Sequence, residues 1–177
     1  MISLNRQIFE FFFHFAHRSI VFDDALVFLA TYLPVILVIA AIVFLFSQKG
    51  MRRRLFIFCE LALAVILSRG IVTEVIRFFY AHPRPAEALG IEALIRDTSH
   101  SFPSGHAMFF FAMAMTLFYW NRKWGTWFFV FAAVNGIARV VAGVHWPFDV
   151  VGGAILGILC AMLVHQLLES QRKLLEE

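Results

Sequence analysis

The sequence predicts an all-α fold, a polytopic transmembrane helix bundle of about five spans with an interfacial helix at its N-terminus. Three observations carry that expectation. The 177 residues are 61% hydrophobic, with 22 Phe, and mean hydropathy is +0.79, far above a soluble domain. The apolar residues fall in blocks near the ~20 residues that a spanning helix requires. The basic residues gather at the ends of those blocks instead of forming a stripe, which argues against nucleic acid and for anionic lipid or phosphate as the partner of a chain of net charge +3. A single membrane-embedded domain over residues 1–177 follows, with no room for a separate soluble module.

The elements follow in order. Residues 1–22 carry Arg6, Glu10, His14 and Arg18 through an apolar stretch, which suits an interfacial amphipathic helix better than a span or a signal peptide. Asp23 and Asp24 are natural caps for a first span over 25–47, with Pro34 as a bending point. A second span over 55–79 contains Glu60, Arg69, Glu74 and Arg77, so its polar faces must meet protein or water. The segment 80–105 is polar, apart from a short island at Ile91–Ile95 that could dip into the outer leaflet beside the substrate's approach. Three further spans are expected at 106–121, 124–142 and 147–168. Cys59 and Cys160 lie singly in apolar runs and read as packing residues.

Positive charge orients the spans. Lys49, Arg52, Arg53 and Arg54 follow the first, Arg122 and Lys123 the third, and Arg172 and Lys173 the fifth, so those ends are expected at the cytoplasm. Three segments then share the external face: "RFFYAHPRP", "PSGH" and "ARVVAGVHWPFD". The chain is thereby expected in the plasma (inner) membrane, with a site facing the periplasm or exterior.

Arg77, Arg84 and Arg139 break the charge rule on that face unless an anion binds among them. Guanidinium groups match phosphate oxygens in pairs and stay charged. Taken singly, Arg77 could instead pair with Glu74 at i, i+3. Ser104, Gly105 and His106 stand where a third span begins, so their amides would present the positive end of a helix dipole; an ordinary cap is the plainer alternative. In "HWPFD", Pro147 suits the first turn of a helix and places Asp149 within reach of His145, fixing its tautomer and leaving a nucleophilic nitrogen. His106 is then available as a general acid.

Together, Arg77 with Arg84-Pro85, then Phe102-Pro103-Ser104-Gly105-His106, then Arg139, His145 and Asp149, resemble the three-part signature of the type 2 phosphatidic acid phosphatase superfamily over roughly residues 70–160. The resemblance implies His145 as nucleophile forming a phosphohistidine, Asp149 as its partner, His106 as acid, and Arg77, Arg84, Ser104, Gly105 and Arg139 as the phosphate shell. It implies neither metal nor other cofactor. Two departures stand out: Arg77 replaces a usual lysine, and Ala138 replaces a serine.

Within the superfamily the chain is most similar to small bacterial undecaprenyl-diphosphatases of the bacitracin-resistance type. Phosphatidylglycerophosphate and lipid A phosphatases use the same residues, and a lipid-phosphate transporter without turnover is an alternative from another class. The sequence leaves the oligomeric state open.

Overall fold

The computed structural model describes residues 3–176, with side chains to Arg172. Met1, Ile2 and Glu177 of the expected domain, and the Lys173 side chain of the expected basic cluster, lie outside the described residues. All regular structure among the described residues is helical.

Helix α1 (Leu4–Phe13) starts at Ser3, whose hydroxyl accepts the Arg6 N–H. It is shorter than the expected 1–22, because His17 takes a φ of 61° and Ser19 stands at the N-cap of the next helix. Phe9 is fully buried, with its ring centroid 5.1 Å from that of Trp146, and Asn5 accepts the Phe148 N–H at 3.1 Å. The helix therefore docks on the start of the last long helix.

The first span is broken. Helices α2 (Ile20–Thr31) and α3 (Leu33–Ser47) meet at a bend of 41°, where Pro34 lacks the N–H that a continuous helix would use. Asp23 and Asp24 are not caps: the helix begins at Ile20, and Asp23 in its first turn accepts the His17 N–H at 3.0 Å.

The second span begins before residue 55, at Met51, and runs for 29 residues to Phe79. It comprises α4 (Met51–Val65), a π-helical segment (Ile66–Val72) and α5 (Thr73–Phe79). The short α6 (Pro85–Leu89) follows, ended by Gly90 at φ 63°. The island Ile91–Ile95 does not hang free: Leu94 donates its N–H to Ala142 O at 2.9 Å, and Leu94 and Ile95 pack on Leu26, Ala30, Ala138 and Val141.

Helices α7 (Gly105–Trp120), α8 (Arg122–Val141) and α9 (Pro147–Leu167) form the centre, and α10 (Glu169–Glu176) closes the chain. Among the described residues, three helices are long and apolar enough to cross a membrane, and the bent α2–α3 pair makes four. The remaining expected span is α7, which at 16 residues is only ~24 Å long. It need not match the bilayer's ~30 Å core, because other helices surround it: Met108, Ala112, Met113, Ala114 and Leu117 are buried. Gly153 and Gly157 of α9 permit a close approach to α7. A Cβ on either would stand 2.8 Å from Ser104 O or 2.6 Å from Met108 O, so this GxxxG packs the bundle from within.

Candidate active site

The N-terminal end of α7, the C-terminal half of α8, the turn before α9 and the π-containing second span converge on one cavity of about 420 Å³. Its polar lining includes Arg69, Arg77, Arg84, Asp97, Ser99, His106, Arg139 and His145, and its apolar lining includes Pro34, Val35, Val38, Phe109 and Phe110. Six of the eight residues singled out from the sequence line it: His145, His106, Arg77, Arg84, Gly105 and Arg139. Ser104 and Asp149 sit directly behind, at 0% and 1% exposure. His82 and His100 are absent from its walls.

Asp149 is held where the sequence suggested. Its Oδ2 lies 3.6 Å from His145 Nδ1 and accepts the Trp146 N–H at 2.9 Å, the reach-back bond of a helix capping box. Ser101 strengthens the link, donating to Asp149 Oδ2 at 2.5 Å and standing 3.5 Å from His145 Nδ1. Nδ1 thus faces the carboxylate, and Nε2 faces Arg84 Nη1 at 3.3 Å. Burial pushes the His145 imidazole down to about 4, opposed by the Asp149 hydrogen bond and assisted by the charges of Arg84 and Arg139. The ring is therefore neutral at physiological pH.

Arg84 is a cross-link as well as a charge. It donates to Val144 O at 2.8 Å, to Ser99 O at 2.7 Å and to Ser99 Oγ at 2.9 Å, and it pairs with Asp97 at 2.8 Å. Arg139 reaches the same Asp97 oxygen at 3.5 Å. Burial tends to raise the Asp97 carboxyl, but hydrogen bonds from Ser99 and the two guanidiniums outweigh it and hold the group below its ordinary value. Arg77 does not pair with Glu74; it donates to Pro103 O at 3.1 Å, while Glu74 pairs with Arg69 at 2.6 Å.

Several polar atoms here are buried without a partner: Arg77 Nε, Arg139 Nε and Ser104 Oγ. Ser104 occupies the N-cap position of α7 but makes no side-chain cap bond, so the first-turn amides lack that satisfaction. Buried unpaired donors are rare in folded proteins. Gathered at a helix N-terminus among guanidiniums, they suit an anion with several acceptor oxygens.

Sequence reasoning missed Asp97, Ser99 and Ser101, and left Arg69 without a partner. The first three lie in the irregular segment 90–104, where no periodicity marks a residue as inward. Glu60 and His165, also unassigned or read as solvated, bind each other at 2.6 Å at the opposite end of α7.

An all-helical membrane bundle with a cationic, imidazole-bearing pocket at one end of its helices defines a class of membrane proteins that act on anionic headgroups. Residues 57–173 match the PAP2 superfamily, and the chain belongs to it; it is a membrane lipid phosphatase of that family. The chain is 29% identical over 164 residues to the bacitracin transport permease protein BcrC of Bacillus licheniformis, covering 92% of this chain and 79% of the relative. It is 29% identical over 163 residues to the undecaprenyl-diphosphatase BcrC of Bacillus subtilis, covering 90% and 82%. Among solved structures it is similar to Aquifex aeolicus LpxE, with a TM-score of 0.75 and 25% identity over 93% of this chain and 96% of the other.

Proposed function

We propose that the protein hydrolyses a polyprenyl diphosphate, undecaprenyl diphosphate in the first instance, to the monophosphate and inorganic phosphate through a phosphohistidine. The observation that carries this reading is the meeting of His145, His106, Arg77, Arg84 and Arg139 in one cavity that continues into an apolar wall. The polar part accommodates phosphate, and Val35, Val38 and Phe109 offer the first isoprene units an apolar surface. The likeness to a relative named as an undecaprenyl-diphosphatase supports the substrate.

The terminal phosphate is held by Arg77, Arg84 and Arg139 and by the amides at Ser104–His106. Neutral His145, with Nδ1–H turned to Asp149 and Ser101, attacks phosphorus through Nε2. The P–N bond forms as the P–O bond to the bridging oxygen breaks, and His106 donates a proton to that oxygen. The lipid monophosphate leaves. Water then attacks the phosphohistidine while His106 takes its proton, the P–N bond breaks and inorganic phosphate is released. Fixed positive charge on the transferring group is the main catalytic contribution.

The basic ends of α3, α4 and α8 lie opposite the cavity and favour an external site by the positive-inside rule. Phosphate release from undecaprenyl diphosphate in detergent, with a chelator present, tests the reading. Rapid release there, with slower release from phosphatidylglycerophosphate and phosphorylated lipid A, is the expected result. Preference for either of the latter would reassign the substrate, and ligand movement without phosphate release would make the chain a transporter.

A further inference from the structure

Arg69 is a fourth guanidinium in the cavity, and a break in helical regularity puts it there. Arg69 and Arg77 are eight residues apart, a spacing that turns an α-helix by about 80° beyond two full turns. The π-helical segment Ile66–Val72 lies between and around them. A π turn absorbs one extra residue, so the pair behaves as i, i+7 and shares a face. Both side chains line the same cavity.

Arg69 occupies a different part of that cavity from Arg84 and Arg139. Arg84 and Arg139 converge on Asp97, and Arg84 also on His145. The Arg69 side chain instead crosses the first turn of α7: a Cβ on Gly105 would stand 2.6 Å from its Nε. Gly105 thus leaves space for a guanidinium beside His106, the residue that donates to the bridging oxygen in the reaction proposed above. Glu74 engages Arg69 through Nη1 alone, and both side chains are substantially exposed, at 40% for Arg69 and 58% for Glu74. A guanidinium has five N–H donors, so most of the fork remains for a second anion.

We propose that Arg69 binds the lipid-linked phosphate of a diphosphate substrate, the one that stays with the leaving group, and so selects diphosphates over monophosphates. This assignment rests on the proposed hydrolysis of a polyprenyl diphosphate. Arg77, Arg84 and Arg139 hold the phosphate that is transferred, His106 addresses the bridging oxygen, and Arg69 meets the phosphate beyond it. A lipid monophosphate places no charge at that position.

The test compares full-length wild type with Arg69→Gln and Arg69→Lys on undecaprenyl diphosphate and on phosphatidate. Arg69→Gln is expected to lower kcat/KM on the diphosphate at least about tenfold and on phosphatidate no more than about threefold, with Arg69→Lys recovering part of the difference. An equal fall on both substrates, or no fall on the diphosphate, overturns the assignment while leaving the substrate reading intact. A wild type that prefers phosphatidate overturns the substrate reading, and the role of Arg69 with it. If Arg69→Gln does not fold, product inhibition of the wild type decides: inorganic diphosphate should inhibit phosphatidate hydrolysis at least about tenfold more tightly than orthophosphate, and equal inhibition refutes the assignment.

Discussion

The two ends of α7 both bury polar groups, and they do so in opposite ways. At the C-terminal end, Glu60 is 1% exposed yet satisfied twice, accepting from Trp120 Nε1 at 2.7 Å and bonding His165 Nδ1 at 2.6 Å. Arg172 reaches the other His165 nitrogen at 2.5 Å, although its own Nε is buried without a partner, and Tyr119 stacks on the ring at 3.6 Å between centroids. At the N-terminal end, Arg77 Nε, Arg139 Nε and Ser104 Oγ are buried with nothing to bond. A carboxylate closed off by its partners in low dielectric holds helices in register; unpaired donors grouped around a cavity suit an arriving anion. The comparison sets a satisfied buried carboxylate against buried donors left unpaired, at the two ends of one helix.

The largest expected effect lies at the open end. His145→Ala should lower phosphate release at least about a thousandfold, measured by initial rates in detergent. The same variant should change thermal stability little, because an activated site is seldom optimised for stability. A large loss of stability with His145→Ala would blur the contrast.

The closed end should show the reverse. Glu60→Ala strands His165 and Trp120 and should cost about 2–4 kcal/mol in thermal or denaturant unfolding. The kcat of the surviving folded protein should stay within about twofold of wild type. A selective loss of kcat with retained stability would assign Glu60 to function instead.

The smallest effect sharpens the contrast by pH. A histidine whose folded value is lowered rejects a proton that the unfolded chain accepts, so its contribution to stability is full above about 6.5 and is lost as pH falls from there toward about 4. His145, the proposed nucleophile, stays neutral over the same window, so the acid limb attributable to it should centre near pH 4, well below that of a free imidazole. A limb near pH 6.5 in kcat/KM, shown by ring NMR to follow His145, would contradict the burial described.

Much of this was legible in the sequence because it is local or periodic. Apolar blocks gave the long helices, and the spacing of His145 to Asp149 holds because both belong to one turn and the helix it starts. Pro34 announced the bend between α2 and α3. What was hidden depends on closure through irregular chain: Asp97 acquires meaning only when residues 90–104 bring it to Arg84 and Arg139. Arg69 was hidden for another reason. Its face is set by the π segment, and a wheel drawn with 3.6 residues per turn points it elsewhere. The expected span at 106–121 is found as α7, whose short length is tolerated because its neighbours enclose it.

The glycines of α9 have one last consequence. Ser104 donates its N–H to Asp149 O at 3.1 Å, and Gly153 rests against Ser104 O just below, so the stems that carry the two imidazoles are fastened main chain to main chain. Such a joint resists shear, so the spacing between His106 and His145 is set by the backbone. On the proposed hydrolysis, discrimination among lipids would then rest on the headgroup and tail that each one presents to that fixed spacing.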